Sequence, residues 1–133
     1  MELTLLTKLE YEFYMDKIPL IEDVWWLRTP GSRSREVYHV NHHGVVSDNS
    51  VISDRFGIRP ALNINLNNSK SLQPGDKIRI GSKSFTVLTW KENELLALCD
   101  EFISRQEFDD VSNVWKTSKL KQWLETEGLR LIF

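Results

Sequence analysis

Cysteine is nearly missing from this chain: Cys99 stands alone among 133 residues. A single thiol excludes an intrachain disulfide framework and any zinc site built on clustered thiolates. Neither sign of charge is in excess, with 17 Lys+Arg against 19 Asp+Glu and a formal net charge of −2. That balance argues against a histone-like protein that coats polyanions with its whole surface. No apolar run approaches the ~20 residues needed to cross a bilayer, so no membrane partner is expected. The opening Met1-Glu2-Leu3-Thr4-Leu5-Leu6-Thr7-Lys8 carries an acidic second residue and too short an apolar run for a signal peptide. With the lone cysteine, this reads as a cytoplasmic protein. Gly-rich phosphate loops, internal repeats and low-complexity tracts are also missing.

What is present describes one ordinary globule. The 41% hydrophobic and 27% charged residues are those of a folded domain rather than a disordered tail. At this length the expectation is a single domain over 1–133 that needs no staple. Five tryptophans in so short a chain are the one compositional excess.

Leu6, Leu9, Phe13 and Ile18 recur at helical spacing, which predicts an amphipathic helix over about 7–18, stopped at Pro19. Val24-Trp25-Trp26-Leu27-Arg28 predicts a strand closed by the turn at Pro30-Gly31. Val37–Val40 and Val45-Val46 flank Asn41-His42-His43-Gly44, a hairpin pattern. Leu62, Ile64 and Leu66 alternate with asparagines on a half-buried strand, whose leading Pro60 points to an edge or a bulge. Asn67–Asp76 is the one linker-like stretch. A hairpin over 77–90 and a wholly apolar strand at Leu95–Cys99 follow, then a polar loop with Asp109-Asp110. Ser118 caps a last helix over about 118–127, with Gly128 as its stop.

Residues able to carry chemistry are few. His39, His42 and His43 cluster in sequence, but adjacent positions on a strand face opposite ways, so surface or turn histidines are expected rather than a metal site. Cys99 lies in an apolar run without an activator and reads as a core thiol. Asp100-Glu101 and Asp109-Asp110 read as solvated loop acids. No nucleophile has a base and orienting group in view, so no catalytic residue and no cofactor are assigned. A small basic stretch is more suggestive: Arg28, Arg33 and Arg35 with the three histidines stand against the single acid Glu36. Its default reading is a solvated loop; flexible and close to Trp25, Trp26 and Tyr38, it suits an acidic protein surface or, with weaker support, the phosphates of a nucleic acid. Trp25 and Trp26 alternate across a strand, so at least one is core and the other is free to line a pocket or meet a partner. Arg28 and Arg59 are expected to stack on tryptophan or pair with a buried acid as readily as they bind a ligand.

Trp25-Trp26-Leu27-Arg28-Thr29-Pro30-Gly31, the turn at Gly44 and Gly57-Ile58-Arg59-Pro60-Ala61-Leu62 together resemble a bacterial and phage domain of unknown function. That family is similar to the C-type-lectin-like and formylglycine-generating-enzyme folds. Gly75-Asp76-Lys77-Ile78, Phe85–Leu88, Leu95–Leu98 and Trp115–Leu124 resemble the opening of the same family, which there comes first. Lys119 and Glu125 depart from the family's usual Arg and Asn. The resemblance therefore implies an α+β fold, mainly an antiparallel irregular sheet with two short helices, C-type-lectin-like and circularly permuted. The family's C-terminal half lies at 1–66, the linker at 67–76 and its N-terminal half at 77–133. Permutation is tolerated where domain termini are adjacent. A monomeric permutant is expected, with a domain-swapped dimer as the rival. The formylglycine-generating relatives work through a cysteine pair, which this chain cannot supply.

The expected function is a non-enzymatic module that binds a protein partner, such as a phage or mobile-element inhibitor of a host defence component. Its contact residues are Trp25, Arg28, Arg33, Arg35, Tyr38, His42 and His43. The competing expectation is a lectin-like binder of a small ligand or glycan beside Trp25. Calcium there would have only Asp48-Asn49 and Asp54 to hold it, without a recognised motif.

Overall fold

A computed structural model describes residues 2–65, 72–91 and 93–133. Its ten strands form two five-stranded sheets, antiparallel but for one pairing. The first sheet runs β1 (Glu2–Thr4), β6 (Ala61–Asn65), β9 (Glu94–Cys99), β8 (Lys83–Lys91), β7 (Lys77–Ile80). The second runs β10 (Ser104–Gln106), β5 (Phe56–Ile58), β2 (Trp25–Pro30), β3 (Glu36–Val40), β4 (Val46–Val51). Each sheet draws strands from both halves of the sequence, so neither half owns a complete sheet. The architecture is mixed α and β, mostly antiparallel, as expected; β1 and β10 are short additions that residue patterns did not reveal.

The two tryptophans of β2 divide the core between them. Alternation sends Trp26 into one cluster with Leu62, Phe85, Phe108, Leu120 and Leu124 and Trp25 into another with Leu6, Tyr11, Val40 and Leu98. Both are fully buried, at 0% and 1% exposure. The Trp26 indole donates to the Gln106 carbonyl at 2.9 Å, which seats β10. Gly57 lies so close to the Phe102 ring that a Cβ there would come within 2.3 Å of it. Any larger residue here has to displace that ring.

The first helix is shorter than expected. Helix α1 covers Lys8–Tyr14 and tightens into a 3-10 turn over Met15–Lys17. Thr7 caps it in a reciprocal box with Glu10. Leu9 and Phe13 are 76% exposed, so the expected apolar stripe does not face the core; Tyr11 does. The short helix is fixed by what Tyr11 reaches, because its hydroxyl donates to the Gly44 carbonyl at 2.7 Å.

The last helix also departs from expectation. Ser118 caps α2 (Lys119–Trp123), accepting from the Lys121 N–H. The chain then widens into a π turn over Leu124–Gly128 and continues as α3 (Leu129–Ile132). Gly128 is helical and does not stop it, because its bare Cα packs against Leu124 and Trp123 instead. Strand β6 is central rather than an edge: Pro60 sits just before the ladder, where its missing N–H costs nothing. Leu66 and residues 67–71 of the expected linker lie outside the described residues. Residues 73–76 form a turn in which Asp76 accepts from the Gln73 N–H. No described helix is long and apolar enough to cross a membrane.

Candidate functional site

The crossing from β5 to β6 is two residues long. Phe56–Ile58 belongs to one sheet and Ala61–Asn65 to the other, so Arg59 and Pro60 bridge them. The end of β9 locks this bridge: the Cys99 N–H donates to the Pro60 carbonyl at 2.9 Å, and Arg59 Nε donates to the Cys99 carbonyl at 2.7 Å. The guanidinium lies over the Trp25 ring, 5.0 Å from its centroid. Tyr11 meets the same indole edge-on at 5.5 Å. Arg59 is thus held from three sides by backbone, indole and phenol.

What this environment withholds matters more. Arg59 is 0% exposed, yet neither Nη1 nor Nη2 finds a hydrogen-bond acceptor among the described residues. Burial pulls its pKa down to about 10, although Asp100, Cys99 and Tyr11 pull the other way. It therefore remains a cation at neutral pH. A buried charge without a partner costs several kcal/mol, and pairing it with an anion recovers much of that. Asp100 is the acid that Arg59 feels, but its carboxylate is taken up by Ser84, Thr86 and Lys77. Burial alone would raise the Asp100 pKa; those hydrogen bonds outweigh it and hold the group below the ordinary value.

A cavity of about 170 Å³ lies against this group. Tyr11 and Met15 of the first helical segment, Ile18–Ile21, Trp25, Val40 and the His43–Gly44 turn enclose it with Arg59. The turn is rigid: Asn41 Oδ1 accepts from the His43 and Val45 N–H groups, and the Gly44 N–H donates to the Asn41 carbonyl. Gly44 takes φ +81, which suits glycine. Arg59 forms wall without exposing surface, so a ligand reaches its nitrogens only where that wall moves. The result is a small chamber, lined by polar and apolar surface in nearly equal measure, with a desolvated cation behind its wall.

The expected contact residues do not converge there as a set. Trp25 and His43 line the chamber, and His42 stacks on His43 at 4.0 Å beside it. Arg33 and Arg35 sit exposed at the opposite end of β3, with Arg35 Nη1 donating to the Val111 carbonyl. Tyr38 is half-buried between these ends under the Lys8 ammonium, 5.1 Å from its ring. Arg28 donates through Nε to the Leu5 carbonyl and lines a different cavity, with Trp115, Lys116 and Lys121. The single contact surface expected over 28–55 is therefore divided into separate places.

Two further expectations need correction. His39 is a buried residue, with Nδ1 2.9 Å from Ser50 Oγ, and not a surface histidine. Asp109 is no solvated loop acid: buried, it accepts from the Val111, Ser112 and Lys119 N–H groups. Burial raises its pKa, but those backbone donors prevail and lower it. Asp48 and Asp54 accept local backbone N–H groups, from Ser32 and Val51. Among the described residues no three His, Cys, Asp or Glu side chains cluster closely enough to hold a metal ion. Cys99 is buried in the core, and burial raises its thiol pKa.

Residue patterns drew attention to Arg59 but left it out of the contact set, and they passed over Tyr11 and Ile18. One signal was available for Arg59: it stands between Ile58 and Pro60-Ala61-Leu62, with no acid nearer than Asp54. A charge in an apolar run without a local partner marks a burial problem that the fold must solve. Comparison with known proteins adds one finding: residues 10–66 match the model of a domain of unknown function (DUF6273), under half of the chain. No curated protein and no solved structure matches the chain.

Proposed function

We propose that this protein is a non-enzymatic binding module whose chamber beside Trp25 and Arg59 receives a negatively charged group. The single observation that carries this reading is the buried guanidinium, whose two terminal nitrogens have no hydrogen-bond partner among the described residues. An anion in the chamber supplies the acceptors that the fold does not. This is closer to the small-ligand expectation than to a contact surface over the basic loop, because Arg33 and Arg35 lie at the far end of β3. A partner protein reaches the same chamber by inserting an acidic group.

The finer relationship belongs to the same proposal: a C-type-lectin-like fold in permuted order, acting as a monomer. The pairing of β6 with β9 and of β5 with β10, which brings both halves into each sheet, supports this reading. β1 packs against the Leu124–Gly128 turn, and such closeness of the first and last elements is what a permuted order calls for.

Thermal unfolding of the full chain at constant ionic strength tests the binding reading. Replacing chloride by a series of organic and inorganic anions should raise Tm saturably for at least one class, by the mass-action stabilisation of a native-state ligand. Arg59→Met should abolish the rise. A Tm that responds to ionic strength alone, alike for every anion, would overturn the proposal.

A further inference from the structure

The chamber's chemistry narrows the anion. Arg59 has two spare nitrogens in a planar fork, the geometry that matches a carboxylate bidentately. A phosphate or sulfate needs a ring of donors, usually backbone amides of a turn or helix start. Here the turn's amides are spent, since Asn41 takes those of His43, Gly44 and Val45. The Tyr11 hydroxyl is likewise committed to Gly44. Ile18, Leu20, Ile21, Trp25 and Val40 supply hydrocarbon wall, while His43 and other polar atoms supply nearly as much polar surface. A single cation behind such walls favours a monoanion with an apolar body over a dianion, which would bring an uncompensated charge into the chamber. A volume of about 170 Å³ equals that of roughly six liquid waters, enough for a short branched chain and its carboxylate.

We infer that the ligand is an apolar monocarboxylate, bound through Arg59 with its hydrocarbon part against Trp25 and Ile18. This rests on the reading of the chamber as an anion site and specifies it. Two sources offer the same chemistry: a free short branched acid, or the C-terminal carboxylate of a polypeptide ending in an aliphatic residue.

Isothermal titration of the full chain separates the possibilities. The probes are isocaproate, isocaproamide, acetate and inorganic phosphate at one ionic strength, with a short peptide ending in free or amidated leucine. Isocaproate should bind about tenfold or more tighter than acetate, because it buries several more methylene equivalents. Isocaproamide and phosphate should not bind measurably. Arg59→Met should abolish isocaproate binding. Should that variant not fold, Ile18→Trp, which fills the chamber and leaves Arg59 in place, should abolish it too. A free-acid peptide binding more tightly than isocaproate, with its amide inert, supports the inference and assigns the polypeptide source; a weaker peptide supports it and assigns the free acid. Phosphate binding more tightly than any carboxylate would overturn the inference while sparing the anion site. Equal binding of isocaproate and its amide would also overturn it, and silence from every anion would overturn both.

Discussion

Trp25 and Trp26 are neighbours with different tasks, and that difference sets the whole account. Trp26 is filling, anchored through its indole to Gln106. Trp25 is the platform on which Arg59 rests. His39 shows a third use of a buried polar side chain, held by Ser50 Oγ and packed 5.2 Å from the Phe56 ring. Burial lowers its pKa below the ordinary 6.5, against a weaker upward pull from Asp54 and Asp48. The sign follows: below pH 6.5 the unfolded chain takes up a proton that the folded chain resists. His39 thus contributes stability that is fully present above the unfolded pKa and lost as pH falls through that range. Urea unfolding at pH 7.5 and pH 5.5 should show a lower midpoint at the acidic value, with a smaller difference in His39→Gln. An equal difference in the variant would assign the pH response elsewhere.

Helices and strands were legible to different degrees, for reasons that lie in their contacts. The hairpins at 77–91 and around Gly44 were readable, because turn residues and alternation are local signals. Helix α1 was found, but its facing was not. Its apolar residues at Leu9 and Phe13 repeat at i, i+4 and mimic a core stripe, while the choice of inward face was made by one long-range hydrogen bond, Tyr11 to Gly44. The consequence is measurable. Leu9→Lys and Phe13→Lys should each change unfolding free energy by no more than about 0.5 kcal/mol, as for exposed positions. Tyr11→Ala should cost about 3 kcal/mol or more, as for a buried aromatic. Large losses in both lysine variants would restore the stripe to the core. The π turn at Leu124–Gly128 was hidden for a related reason: Gly128 looks like a stop until the close packing of Leu124 and Trp123 is known.

At the scale of the molecule, the mainly antiparallel character of the sheets was readable from pattern, and the interleaving of the halves was not. β1 and β10 are three residues each and derive their pairing from partners about 60 and 50 positions away, which no local pattern reports. The site is a product of that interleaving. Tyr11 comes from the first helix, Trp25 from the second sheet, Arg59 from the crossing, and the carbonyl that fixes Arg59 from Cys99 in the other half. Each is visible in the sequence, but that the terminal nitrogens of Arg59 find no acceptor among the described residues is a statement about everything around it. The most direct test is nitrogen-detected NMR of the arginine side chains during titration with isocaproate. The account predicts saturable shifts and slowed exchange at the Arg59 guanidinium, with Arg33 and Arg35 unmoved. Equal, non-saturating shifts at all three, or none at Arg59, would contradict it.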